Sequence, residues 1–188
     1  MPQSIIIRRT YPWSEKSGET KITYRLMTPE DRDAILELAR GLDESDAAFL
    51  RMDITDPSVV DNWVREIEIG RTVTVLAEAN DTIVGYALLN HNELTWSSHL
   101  GEIRVLVERE FRRAGVGKRL IGEVYHIAKE MRLERVICHI PATQSRVRDM
   151  FERLGFRPDA VLRSWVKDKT GRKHDLLVMS RGLVDLDG

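Results

Sequence analysis

The chain has 188 residues, 42% hydrophobic and 31% charged, with 29 Lys and Arg against 30 Asp and Glu for a formal net charge of −1. That composition fits a folded domain with its own core and argues against disorder, while the near-neutral balance argues against gripping nucleic acid, which needs a basic surplus to neutralise phosphates. A single cysteine, Cys138, excludes an internal disulfide, and neither a signal-peptide stretch nor a run of about 20 apolar residues is present, so a cytoplasmic protein without a membrane anchor is expected.

Ser4–Tyr11 and Thr20–Met27 are rich in β-branched and aromatic residues, and the intervening SEKSGE has turn composition, which predicts a hairpin. Thr28-Pro29-Glu30-Asp31 then starts a helix, with Thr28 as N-cap and Pro29 at the first helical position. Ile35, Leu38, Ala39 and Leu42 follow at helical spacing. Asp56-Pro57 repeats the start signal, Val59, Val60, Trp63, Val64 and Ile67 make the apolar face, and Gly70 is the stop. The period then changes. Thr72–Ala79 and Thr82–Asn90 are strands joined by Asn80-Asp81, and Leu100–Glu108 alternates Ile103, Val105 and Val107 with Glu102, Arg104 and Glu108. A helix from Val116 to Met131, a strand Arg135–Ile140 and a helix Gln144–Leu154 follow. Leu162–Lys167 and Asp175–Ser180 close the chain as a strand pair.

This order mixes antiparallel hairpins with one or two parallel crossovers, which predicts an α/β (α+β) domain around a mixed sheet. Residues 1–20 read as an N-terminal extension carrying one hairpin strand, 21–181 as the domain, and 182–188 as a tail.

The informative segment is Glu102–Gly122, EIRVLVEREFRRAGVGKRLIG. A strand enters, Arg112-Arg113-Ala114-Gly115-Val116-Gly117 forms a glycine turn, and a helix leaves. The first amides of a helix have no intrahelical partner, and the helix dipole adds partial positive charge there. Glycines let an anion come close, so the turn reads as a pyrophosphate seat with Arg112, Arg113, Lys118 and Arg119 around it. A tight connection with a solvated basic surface is the alternative. A P-loop does not fit, because Arg119 follows Lys118 where Ser or Thr is required. A dinucleotide turn does not fit either, because Leu120 stands where the third glycine belongs.

Arg112-x-x-Gly115-x-Gly117 after a strand ending in Val105-Leu106-Val107, with Leu154-Gly155-Phe156 closing a later helix, resembles the GNAT acetyltransferase superfamily over roughly residues 22–181. The resemblance implies a mostly antiparallel, splayed sheet flanked by helices, with acetyl-CoA as co-substrate and no metal. It implies that amides of Arg113, Ala114, Gly115, Val116, Gly117 and Lys118, with Arg112, hold the CoA pyrophosphate. It further implies that the pantetheine arm pairs along Leu106 and Val107, and that a backbone N–H near Leu106 polarises the thioester. Gln144 stands at the family's usual Asn and could bond the arm. The resemblance implies an amine of a small molecule or protein as acceptor; no nucleic-acid or membrane partner is expected, and a homodimer is compatible with it. A second reading is a non-catalytic acyl-CoA sensor with the same fold.

The proton route departs from the family pattern. Glu102 is the candidate base, but the family's glutamate falls one residue earlier, at Gly101. A one-residue shift in a regular strand reverses the face, so Glu102 would need a bulge; a carboxylate simply paired with Arg104 is the alternative. Phe151 stands where many members have a proton-donating Tyr, leaving Tyr125, another group or solvent. Cys138 reads as a buried structural thiol with His139 on the opposite face. His91 and His99 flank the connection near the acceptor opening and could act as a base through water, and His174-Asp175 could reach the acceptor, with strand-end polar residues as the alternative for all three; Trp63 reads as core and Trp96 as part of an acceptor wall. The acidic stretch Leu42–Asp46 could draw a cationic acceptor.

Overall fold

The computed structural model describes residues 7–43, 50 and 52–183. Among them eight strands form one sheet: β1 Trp13–Ser17, β2 Thr20–Leu26, β3 Thr72–Ala79, β4 Thr82–Asn90, β5 Leu100–Val107, β6 Arg135–Pro141, β7 Arg157–Lys167 and β8 Lys173–Gly182. Their spatial order is β1-β2-β3-β4-β5-β6-β8-β7. Every neighbouring pair is antiparallel except β5 and β6. The sheet is therefore mixed, mostly antiparallel and flanked by helices.

Among the described residues four helices cover it: α1 Arg32–Arg40, α2 Pro57–Glu68, α3 Val116–Glu130 and α4 Ser145–Arg153. Pro29–Asp31, ahead of α1, is a turn of 3-10 helix in which the Asp31 carboxylate reaches back to the Thr28 N–H at 2.8 Å. Asp56 caps α2 by accepting from the Ser58 N–H at 2.8 Å, and Gly70 ends that helix at φ +74°. Asn80 and Asp81 turn β3 into β4 with φ of +49° and +61°, as a two-residue hairpin loop of matching twist requires.

Strand alternation sends side chains into two cores. Val75, Ala87, Leu89, Ile103, Val136 and Cys138 pack under α3 and α4, while Leu76, Tyr86 and Leu88 pack under α1 and α2. Leu120, Ile121, Val124 and Ile127 of α3 lie within 1% of full burial.

Two elements differ from the sequence expectation. The first hairpin strand is Trp13–Ser17, which includes most of the segment expected to turn. The loop is only Gly18-Glu19, with Gly18 at φ +63°, and Trp13 stacks on the directly opposite Tyr24 at 4.7 Å between ring centroids. Of the expected strand Ser4–Tyr11, residues 7–11 are not extended ladder, and 4–6 lie outside the described residues, as do 44–46 of the acidic stretch. The closing pair is longer than expected. β7 is an edge strand with mostly exposed side chains, so it lacks the alternation that marks a half-buried strand, and its edge position accommodates Pro158.

Candidate functional site

The sheet opens at β5. Its pairing with β4 is unbroken from Val107 opposite Gly85 to Glu102 opposite Asn90. Its parallel pairing with β6 stops at Glu102 opposite Ile137. From there β6 follows β8 out to Pro141, and among the described residues no strand pairs with the far edge of β5 beyond this point.

Alternation decides which peptide groups look into that opening. The Glu108 N–H donates to the Val84 carbonyl at 2.9 Å, and the Leu106 carbonyl lies 2.7 Å from where a Cβ on Gly85 would stand. Even-numbered residues of β5 therefore spend their peptide groups on β4. Val105 and Val107 present theirs to the opening, where the Val107 carbonyl accepts from Arg112 Nε at 2.9 Å. The Leu106 peptide is turned into the ladder, so the N–H groups nearest it that face the opening are those of Val105 and Val107.

The opening continues as a cleft of about 1090 Å³ lined by Val105, Leu106, Val107, Gly115, Gly117 and Lys118 on one side and by Gln144, Met150 and Phe151 on the other. At its end Gly115 takes φ +81° and Arg113 φ +71°. The Gly115 conformation is one that only glycine adopts without strain. The Arg119 N–H makes the helical bond to the Gly115 carbonyl at 3.0 Å, so the amides of Val116, Gly117 and Lys118 precede the first such bond. A Cβ on Gly117 would stand 3.4 Å from Met150 Sδ and 3.5 Å from a Val107 methyl, which fills the approach without breaking the fold.

The turn is braced from outside. Ser17 Oγ at the end of β1 donates to the Ala114 carbonyl at 2.9 Å, and Glu15 takes the Arg119 guanidinium at 2.7 and 3.1 Å. Arg119, expected around the phosphate seat, also lies over the Trp13 ring and faces the hairpin. Lys118 and Arg113 line the cleft.

The model of the acetyltransferase (GNAT) family matches residues 38–156, more than half of the chain. The chain belongs to the GNAT acetyltransferase family. Solved structures share the fold. The yncA protein of Salmonella typhimurium, solved with its cofactor acetyl-CoA, superposes with a TM-score of 0.74 at 20% identity, over 89% of this chain and 96% of that one. A ribosomal-protein-alanine N-acetyltransferase from Brucella melitensis gives 0.72 at 23% identity, over 85% and 98%. An N-acetyltransferase from Staphylococcus aureus Mu50 gives 0.74 at 17%, over 87% and 99%. A search of curated protein sequences gave no match.

Within this GNAT domain, Glu102 lies where β5 and β6 part, and it lines both the cleft and a second cavity of about 410 Å³ on the α2 side. No register shift accompanies it, so the bulge expected to bring Glu102 into play is not what places it there. Glu102 Oε1 accepts from Arg104 Nε at 3.0 Å and stands 3.4 Å from His139 Nδ1. Trp63, Arg71, Asn90 and His91 line the second cavity, where the His91 Nε2 lies 2.7 Å from the Gly70 carbonyl. His139 was legible in the sequence only as the neighbour of Cys138; its place across the opening depends on the β5–β6 register.

Other expectations are relocated. The Tyr125 hydroxyl donates to the Gly182 carbonyl, and its ring carries Arg181 at 4.2 Å, outside both cavities. Trp96 is 98% exposed and lines neither cavity. His99 is exposed, and His174 Nε2 lies 2.7 Å from the Asp168 carboxylate at the β7–β8 turn. Cys138 is 2% exposed, and burial, then the Glu102 charge, push its thiol up to about 12. Among the described residues no group of His, Cys, Asp or Glu could hold a metal ion. No helix of the described residues is long and apolar enough to cross a membrane.

Proposed function

We propose that the protein transfers an acetyl group from acetyl-CoA to an amine, with the CoA pyrophosphate on the turn Arg113–Lys118 and the pantetheine arm along Val105–Val107. The observation that carries this reading is the continuity of one cleft: the strand edge that no described strand pairs leads directly to the amides ahead of the first helical bond of α3. An amide-bearing arm adds to such an edge as a strand would, and a diphosphate suits the helix start. Val105 N–H is the proposed polariser of the thioester carbonyl in place of Leu106, whose peptide is spent on β4, and Gln144, which lines the cleft at the start of α4, is the proposed partner of the arm. Bound there, acetyl-CoA supplies the activated acetyl group, and the chain supplies alignment and proton handling. The cavity of about 410 Å³ between α2 and the strand ends is the proposed acceptor site, because it shares Glu102 and Arg104 with the cleft. Its charges are mixed, Glu66 and Glu102 with Arg71 and Arg104, which favours a small amine over a long polycation.

Calorimetric titration with acetyl-CoA tests the cleft. Wild type binds, and Gly117→Asp abolishes binding while thermal unfolding stays cooperative; undiminished binding by Gly117→Asp removes the assignment. Release of free CoA thiol with a panel of primary amines tests turnover. Binding without release from any amine favours the acyl-CoA sensor.

A further inference from the structure

Resting on that acetyl-transfer reading, we propose that the amine's proton is taken by His139, with Glu102 acting as the carboxylate that orients the imidazole. The two residues belong to strands that are paired up to Glu102 and Ile137 and then diverge. Continuing the parallel register two residues past that pair sets His139 level with Arg104 across the opening. Alternation puts Glu102 and Arg104 of β5 on the same sheet face as His139 of β6, opposite to Ile103 and Cys138, which are buried under α3 and α4. One carboxylate oxygen, Oε1 of Glu102, faces both partners: Arg104 Nε at 3.0 Å and His139 Nδ1 at 3.4 Å.

That geometry assigns different work to the two residues. A neutral imidazole has one N–H and one lone pair, and a carboxylate beside Nδ1 selects the tautomer with the proton on Nδ1. Nε2 then carries the lone pair, on a side chain that is 20% exposed and lines the acetyl-CoA cleft. The Glu102 oxygen already accepts from the Arg104 guanidinium and faces the imidazole, which suits an anchor better than a proton acceptor. A carboxylate that holds an imidazole in tautomer and orientation is a proven division of labour in acyl transfer. The separation of 3.4 Å is long for a hydrogen bond, and such catalytic contacts tighten when substrate is bound.

The dyad also resolves what Phe151 leaves open. Phe151 is 2% exposed, packs edge-on against Phe156 and has no proton to give. In the proposed step the amine nitrogen bonds to the thioester carbonyl carbon, the carbon–sulfur bond breaks, and the amine's proton passes to His139 Nε2. The same proton then moves to the departing thiolate, so the products are the amide and free CoA thiol, and His139 returns neutral. One imidazole serves as base and then as acid.

The experiment uses the full chain with acetyl-CoA and the amine of the panel that releases most thiol. His139→Ala lowers kcat at least about 100-fold, the lower bound for a positioned base, with calorimetric acetyl-CoA affinity unchanged, and added imidazole restores a measurable part of the rate. His139→Gln shows the same loss without rescue, which separates chemistry from a hole in the packing. Glu102→Gln lowers kcat less, and ¹⁵N histidine spectra show His139 shifting from the Nδ1-protonated form toward a mixture; Glu102→Asp recovers part of both. Thiol release by His139→Ala at more than half the wild-type rate overturns the dyad and leaves acetyl transfer standing, as does a Glu102→Gln loss exceeding that of His139→Ala. Wild type that binds acetyl-CoA but releases no thiol with any amine overturns both.

Discussion

Two residues in the middle of the cleft carry opposite lessons about reactive groups. Cys138 has the more nucleophilic atom, but it sits on the face turned under α3, and burial followed by the Glu102 charge pushes its thiol up to about 12. Only a thiolate attacks or is alkylated, and a thiol raised this far stays protonated near neutral pH. Native protein should therefore react with a thiol reagent orders of magnitude more slowly than guanidinium-unfolded protein. Cys138→Ala should cost about 1 kcal/mol of stability through the small void it leaves, with thiol release from acetyl-CoA unaltered. Rapid labelling of the native thiol, or lost turnover in Cys138→Ala, would contradict a purely structural role. His139, one residue on, faces the other side and lines the cleft. One step along a strand thus separates packing from proposed chemistry.

At the scale of elements, the first turn of α3 divides its charges. Successive helical residues point about 100° apart, so Lys118 meets the cleft while Arg119 meets Glu15 and the Trp13 ring. Lys118→Ala should weaken acetyl-CoA binding roughly fivefold, about 1 kcal/mol for an exposed charge contact. Arg119→Ala should leave affinity within about twofold and lower the melting temperature, since its partners belong to the hairpin; scanning calorimetry alongside titration separates the two, and equal affinity losses would show that both reach the ligand. The strands β3 and β4 and the helix α2 were legible because local signals agreed there: Asn80-Asp81 between alternating runs, and Asp56-Pro57 ahead of a 3.6-residue apolar stripe. The glycine turn was legible because Gly115 and Gly117 differ visibly from any other strand-to-helix junction in the chain. β1 was misread because Ser14, Glu15, Lys16 and Ser17 have turn composition. Only pairing with Thr20–Tyr24, and the stack of Trp13 on Tyr24, makes them a strand. The proposed Glu102–His139 pair spans 37 positions and forms only at the splay, which no local pattern encodes.

The whole molecule is a sheet with a core on each face, and the α1 side is tied to the sheet through Arg25. Its guanidinium forks onto Asp31 at 2.6 and 2.8 Å and reaches Glu78 of β3 at 2.8 Å through Nε, so β2, β3 and the start of α1 share one cation. Asp31 is 8% exposed. Burial opposes its charge, but the fork from Arg25 and the Thr28 N–H outweigh it and hold the carboxyl below its ordinary value. A carboxyl lowered on folding contributes stability above its unfolded value, near 3.8, and that contribution disappears as pH falls through the lower folded value. Asp31→Asn should therefore destabilise the protein at pH 7 by about 1–3 kcal/mol, leaving Arg25 half-satisfied. The gap from wild type should narrow steadily below pH 4. Urea unfolding at pH 7, 5 and 3 measures it, and a gap of constant size across that range would show that Asp31 acts through its shape and hydrogen bonds and not through its charge.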